Sequence, residues 1–218
     1  MKILIVGAGR LGEQAAHLLA ATGHEVTVID RDRRRLDALG GEHLHRLVHG
    51  DGCEPDILER SGALSTDLLL AATGEDEDNL VIALLAKRQF GVGRTLARVN
   101  DPDNAWLFDA RWGVDVALPA AAPLVSLIEE AAGLSDTVGL VSLAAAGVTL
   151  IETHIGAGSV AAGRLLADIA LPDGTVVATV VHDGKPIVPG REYRFQAGDT
   201  VLVVTHAATE RDIHNAFQ

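Results

Sequence analysis

The 218-residue sequence predicts an α/β fold, a doubly wound parallel sheet followed by a small α+β domain. Three observations carry this reading. The chain opens on an apolar run, Ile3 to Val6, that leads straight into Gly7-Ala8-Gly9-Arg10-Leu11-Gly12. Strand-like and helix-like segments then alternate with short connections, the pattern of parallel strands joined by helices. After about Ser135, β-branched runs separated by turn residues take over, which marks a second unit of different construction.

The first strand is expected at 2–6. Gly7 lets the chain turn sharply off it. Gly9 carries no side chain, so a pyrophosphate can approach the backbone, and Gly12 lets the next helix pack close to the sheet. That helix, at 11–22, begins with N–H groups that lack intrahelical partners and favour an anion. A second strand, at 25–29, ends in Asp30, whose carboxylate can accept from both ribose hydroxyls. Strand, glycine turn, helix, strand and acid form the Rossmann-like fingerprint and name an adenine nucleotide as the ligand class.

Further strands are expected at 45–48, 67–71, 94–98 and 115–117, with helices at 32–39, 54–62, 76–90, 102–111 and 120–132. Pro102 and Pro119 suit the first turns of helices. The run Glu75-Asp76-Glu77-Asp78 puts acid at a helix N-terminus, where the dipole favours it. In the second half, strands are expected at 138–143, 148–155, 175–181 and 200–205. Pro172-Asp173-Gly174, Asp183-Gly184-Lys185 and Pro189-Gly190 form turns between them, and one short helix is expected around 161–169. The division is therefore a nucleotide-binding domain over 1–118, a connector helix over 119–135 and a regulatory domain over 136–218.

Composition narrows the function. The formal net charge of −12 argues against a nucleic-acid partner or an anionic membrane surface, both of which need a basic face. Cys53 is the only cysteine, so no intrachain disulfide forms and a reducing compartment is natural. The N-terminus enters a strand without signal-peptide architecture, and no apolar run reaches the ~18 residues of a membrane span. A cytoplasmic protein is expected.

Three more segments fall at carboxyl ends of strands, where open α/β sheets bind ligands. They are Gly50-Asp51-Gly52-Cys53, Ala72-Thr73-Gly74 and Arg98-Val99-Asn100-Asp101-Pro102. Taken singly each also reads as an ordinary turn or strand end. Together with GxGRxG, Asp30, Thr73 with Asn79, and RVNDPxN at 98–104, they resemble the cytoplasmic regulatory subunits of Trk/Ktr-type potassium transporters, the RCK or KTN domain family. Gly158-Ser159, Leu171-Pro172, Pro189 and Gly198-Asp199 extend the resemblance into that family's small C-terminal domain.

The resemblance implies residue roles. The glycine loop, Gly7 to Gly12 with Arg10 and Leu11, would hold phosphates. Asp30 would hold the ribose. Asp51, Gly52 and Cys53 would line the adenine side, and Thr73, Gly74 and Arg98 the phosphate or second-nucleotide region. Arg31 could touch a 2′-phosphate, but Asp30 would repel one, so a non-phosphorylated ribose is favoured. It further implies NAD(H) or ADP/ATP as ligand, a dimer assembling into an octameric ring, and a potassium-transporting membrane subunit as partner. The chain would then sit at the inner face of the membrane through that partner. Pro119-Ala120-Ala121 stands where some members place a glutamate that bridges ATP and a cation, and His182 stands where members that bind a cyclic dinucleotide often have arginine. No metal site and no catalytic residue are expected.

Two rival classes remain at this level. One is an NAD-dependent oxidoreductase, which needs a proton-moving group at the nicotinamide. The second half offers no evident cluster for that, Tyr193 is the only tyrosine, and the histidines are scattered. His43, His45 and His49 read better as surface residues than as a metal site. The other rival is a nucleotide sensor serving a different channel or transporter.

Overall fold

A computed structural model of the chain describes residues 1–40, 46–121, 124, 125, 128, 132, 135–143 and 147–218. It divides into two compact units, Met1–Ala120 and Ala121–Gln218.

The first unit follows the order β1 (Lys2–Val6), α1 (Arg10–Ala21), β2 (Glu25–Asp30), α2 (Arg33–Leu39), β3 (Arg46–His49), α3 (Pro55–Arg60), β4 (Leu68–Ala71), α4 (Asp76–Arg88), β5 (Arg94–Val99) and β6 (Val116–Pro119). The strands form one parallel sheet in the order β3-β2-β1-β4-β5-β6. The order reverses between β1 and β4, so a crevice opens there beyond the carboxyl ends of the strands. Each sheet face is covered. Ile3, Ile5, Val26, Val28 and Leu70 pack with Ala16, Ala20, Leu36 and Leu39 of α1 and α2. Leu4, Val6, Ile29, Leu69 and Val99 pack with Ile57, Leu58, Leu80, Ile82 and Ala83 of α3 and α4. Strands buried on both faces explain why they read as continuous apolar runs rather than alternating ones.

Two expectations change here. The helix expected at 102–111 is instead two 3-10 turns, Pro102–Leu107 and Ala110–Trp112. Asp101 accepts from Asp103 N and Asp109 accepts from Arg111 N. Two side-chain caps eight residues apart restart the chain twice, so no single helix runs through. Pro119 ends a strand rather than opening a helix. It lies on β6, an edge strand where a missing N–H is tolerated, and pairs with Val99 of β5. Most of the connector helix expected at 119–135 lies outside the described residues, as do His43 and His45. Within it, Val125 N donates to Ala121 O at 2.9 Å and Ala132 N to Ile128 O at 2.9 Å, both one helical turn back.

The second unit holds β7 (Thr137–Leu143), β8 (Val148–His154), β9 (Thr175–His182), β10 (Lys185–Ile187), β11 (Thr200–Thr205) and α5 (Glu210–Phe217). The sheet is antiparallel in the order β10-β9-β11-β8-β7. Its inner face contributes Ile151, Val180, Val201 and Val203, which pack with Phe195 and with Ile213 and Phe217 of α5. Asp183-Gly184 turns β9 into β10 with positive φ at both residues, 48° and 73°. That is the two-residue turn whose twist matches a hairpin.

The short helix expected at 161–169 is not formed. Only a 3-10 turn, Leu166–Asp168, lies there. The backbone pairs elsewhere: Gly163 N donates to Phe195 O, Leu166 N to Tyr193 O, Ala167 N to Arg191 O and Phe195 N to Arg164 O. Four bonds to a distant segment outcompete a marginal helix. The terminal α5 is absent from the sequence expectation, although its signal is present. Thr209 and Asp212 form a reciprocal capping box, and Ile213 and Phe217 point one face into the core.

Candidate nucleotide-binding site

The crevice at the β1/β4 reversal is a cleft of about 450 Å³. Gly7, Gly9, Asp30, Arg31, Asp51, Gly52, Thr73, Gly74 and Arg98 line it, from several separate strand ends. Asp32, Arg35, Glu75 and Asp78 complete its charged wall, and Val6, Ile29, Ala72 and Ile82 form an apolar floor. The sequence did not point to Arg35 or Asp78, because each reaches the cleft from a helix turn rather than a strand end.

The three glycines differ in what a side chain would meet. Gly7 has φ 108°, and a Cβ there would stand 2.7 Å from Ala72 O. Gly9 faces open space, with nothing within 4 Å of where a Cβ would stand. A Cβ on Gly12 would overlap the carbonyl oxygen of Gly7, so Gly12 sets the distance between α1 and the loop and stands outside the wall.

Asp30 is 8% exposed. Its Oδ2 accepts from Ala8 N at 2.5 Å and its Oδ1 from Asp32 N at 2.7 Å. The carboxylate therefore ties the glycine loop to the end of β2 and is held in one orientation. A carboxylate has about four acceptor sites, so capacity remains for a ribose.

Asn79 is fully buried and stands behind the wall. Its Oδ1 accepts from Thr73 N at 2.9 Å and from Thr73 Oγ1 at 2.8 Å, and its Nδ2 donates to Arg98 O at 2.9 Å. It positions two lining residues and is not itself part of the lining. Asp76, 5% exposed, does the same for the β5 loop. It accepts from Asn100 N at 2.7 Å, Asn100 Nδ2 at 3.0 Å, Asp101 N at 3.0 Å and Asn104 Nδ2 at 3.0 Å. Burial alone would raise its carboxyl, but these donors outweigh that and hold it below 3.8. Asp76→Ala is expected to cost about 2 kcal/mol, because it removes the buried acceptor shared by four part-buried hydrogen bonds. Chemical denaturation of the variant checks this.

Arg10 and Leu11 also stand outside the cleft. Arg10 is exposed, and with Glu13, Gln14 and His17 it borders a separate shallow groove on α1. Cys53 lies behind Asp51. Its Sγ sits 3.5 Å from Asp78 Oδ1 and 3.9 Å from Arg31 Nη2. Burial, then the charges of Asp78 and Asp51, push the thiol up to about 12. The thiol is therefore protonated at neutral pH, and its alkylation is expected to be far slower than that of a free thiol. A maleimide time course on the folded protein reads this directly.

Arg98 differs from the other cations of the wall. Arg31 is ion-paired with Asp51 and Asp78, each at 2.9 Å, and Arg35 lies 3.9 Å from Asp30. The Nε of Arg98 is buried and, among the described residues, has no hydrogen-bond partner. A buried unpaired donor at a cleft wall is a group still waiting for an acceptor.

The second unit holds a polar cluster of its own. Asp199 is fully buried and accepts from His182 Nδ1 at 2.7 Å, Tyr193 Oη at 2.9 Å and Gln196 N at 2.9 Å. His182 is thus turned toward an internal carboxylate. Among the described residues no group of three or more histidines, cysteines or acids is arranged to hold a metal ion.

Comparison with known proteins shows the family. Residues 3–119 match the TrkA-N domain family and residues 150–218 the TrkA-C domain family. The chain belongs to the TrkA family. It is 36% identical over 213 residues to the Trk system potassium uptake protein TrkA of Mycobacterium tuberculosis (strain CDC 1551 / Oshkosh), covering 98% of this chain and 96% of that one. The TrkA of Vibrio alginolyticus is 28% identical and matches all of this chain, which spans 49% of that longer protein. Among solved structures, the GsuK channel bound to NAD superposes with a TM-score of 0.57 at 17% identity, over 94% of this chain and 37% of that one. At that identity the likeness establishes the fold of this TrkA-family chain. No described helix is long and apolar enough to cross a membrane.

Proposed function

We propose that this chain is the nucleotide-binding regulatory subunit of a Trk/Ktr-type potassium uptake system. The observation that carries the reading is the cleft itself. A glycine loop with an open Gly9, an oriented Asp30 and an Arg98 whose buried Nε is unpartnered among the described residues converge at the topological switch point. Loop N–H groups and Arg98 would take phosphates, Asp30 a ribose, and the floor beside Gly52 and Ile82 an adenine. The ligand class is NAD(H) or ADP/ATP; one solved relative is described as GsuK bound to ADP, 25% identical over 60% of this chain.

The role is regulatory rather than catalytic. Support comes from relatives named as potassium uptake proteins. In this reading residues 1–118 sense the nucleotide, 119–135 transmit the signal and 136–218 modulate it. The transporting pore is a separate membrane subunit, and the chain sits beneath it at the inner face.

Assembly is part of the proposal. Leu124, Val125 and Ile128 on the connector are 62%, 48% and 65% exposed, and such a run of apolar side chains suits burial against a second copy. A dimer building toward an octameric ring fits that surface. A ligand can bias a ring only if it binds two ring states unequally.

Cells lacking this chain are expected to grow poorly at limiting potassium and normally at high potassium, with rescue by the intact chain. Normal growth at limiting potassium without the chain, when no second uptake system is present, would contradict the role.

A further inference from the structure

Asp30 and Arg31 give opposite signals about the ribose. An acid at the end of β2 favours a free 2′-hydroxyl, whereas an arginine beside it commonly accommodates a 2′-phosphate. The structure separates the two. Arg31 Nη2 donates to Asp51 Oδ1 at 2.9 Å and is ion-paired with Asp78 Oδ2 at 2.9 Å. Asp51 is itself fixed, since its Oδ1 also accepts from Cys53 N at 2.8 Å. The guanidinium therefore forms a strap from the end of β2, past the loop after β3, to the first turn of α4.

The surroundings oppose a phosphate as well. Asp30 cannot turn away, because Ala8 N and Asp32 N hold both of its oxygens. Four carboxylates, Asp30, Asp32, Asp51 and Asp78, face two guanidiniums, Arg31 and Arg35, on this side of the cleft. A phosphate dianion placed beside the ribose meets a net negative wall, and it competes for the Arg31 charge with two carboxylates already paired with it.

We propose that Arg31 is a masked 2′-phosphate receptor: strapped between Asp51 and Asp78, it makes the cleft selective for adenine nucleotides with a free ribose 2′-hydroxyl. The inference rests on the nucleotide-binding reading above. It assigns the selectivity to three residues together rather than to Asp30 alone. It also makes a gain of binding the diagnostic result, which damage to the site does not produce.

The experiment is calorimetric titration of the full chain with NAD and with NADP. The unmodified chain is expected to bind NAD and to bind NADP at least about tenfold more weakly. Asp51→Asn with Asp78→Asn frees the guanidinium, and NADP affinity is expected to rise by about tenfold, the effect of one charge-assisted contact. Adding Arg31→Ala to that background is expected to return NADP to its original weak binding. If the double variant fails to fold, Asp78→Asn alone is expected to give about a threefold gain. Equal binding of NAD and NADP by the unmodified chain overturns the proposal. So does an unchanged NADP affinity in the Asp→Asn variants, or a gain that survives Arg31→Ala, which would be a general loss of negative charge. No binding of either dinucleotide overturns this inference but leaves ADP/ATP to the nucleotide-binding reading, and NAD binding with no gain for NADP likewise removes this inference alone.

Discussion

Gly12→Ala is expected to destabilise the first unit by about 3 kcal/mol and to abolish nucleotide binding. The sign is the informative part. In an exposed helix the same change stabilises by about 1 kcal/mol, because alanine is the better helix former. Here the new methyl group would overlap Gly7 O, a backbone atom, and would also stand 3.5 Å from Ile5 Cγ2. Gly7 has no room to yield: its N–H is bonded to Ile29 O at 2.8 Å, and its φ of 108° already faces Ala72. Either α1 lifts off β1 or the loop rearranges, and both displace the N–H groups that would hold a phosphate. Thermal unfolding with and without nucleotide measures both effects. A variant with unchanged stability would mean that α1 does not sit against the loop as described.

Asp199→Ala is expected to destabilise the second unit by about 2–3 kcal/mol, because it removes the shared acceptor of three donors at once. The carboxylate is fully buried and serves three donors. One of them, Tyr193, packs edge-on against Phe195 with ring centroids 5.5 Å apart, and Phe195 against Phe217 at 5.6 Å. Loss of the acceptor therefore reaches the aromatic core and the base of the β9–β10 hairpin together. The same pair gives a pH dependence of defined sign. The hydrogen bond to Asp199 raises the His182 imidazole above 6.5, against partial burial and with help from Asp183. A group with a raised folded value stabilises fully below its unfolded value and loses that contribution as pH rises through the folded one. The unfolding temperature of the second unit should fall as pH is raised above about 6.5, and His182→Gln should flatten that fall. A stability that rises over that interval in the unmodified chain, or a slope unaltered in His182→Gln, would show that the pair is not formed.

The first thirty residues are readable because everything they specify is local. One strand, one tight turn, one helix start and one acid at a strand end each leave a mark within a few positions, and the tertiary structure keeps all four. The wall of the cleft is half readable. Residues at strand ends can be placed from the alternation alone, since a parallel sheet gathers those ends on one edge. Arg35 and Asp78 cannot, because their place depends on which face of α2 and α4 turns toward the crevice. Asn79 reads in the sequence with the ligand-facing residues, yet it spends its amide on Thr73 and Arg98. In one dimension a residue that positions a ligand group and one that touches the ligand look alike.

The second unit is less legible for a similar reason. Residues 161–169 carry enough alanine and leucine to suggest a helix, but their backbone pairs with 191–195, a partner almost thirty positions away. His182, Tyr193 and Asp199 are spread over two turns and form no cluster in the sequence, yet the chain folds the histidine and the tyrosine around one carboxylate.

The most direct test of the central claim is calorimetric titration of NAD, NADH, ADP and ATP into the intact chain and into Gly9→Ala. Gly9 faces open space at φ −72°, a conformation that alanine adopts freely, so the variant should fold and unfold like the original. A methyl group at that point stands where the pyrophosphate must approach the backbone. Saturable binding of at least one of these nucleotides is expected at one site per chain, weakened by about tenfold or more in Gly9→Ala at unchanged unfolding temperature. No binding of any of the four, or equal binding by the variant, would contradict a nucleotide seated on the glycine loop.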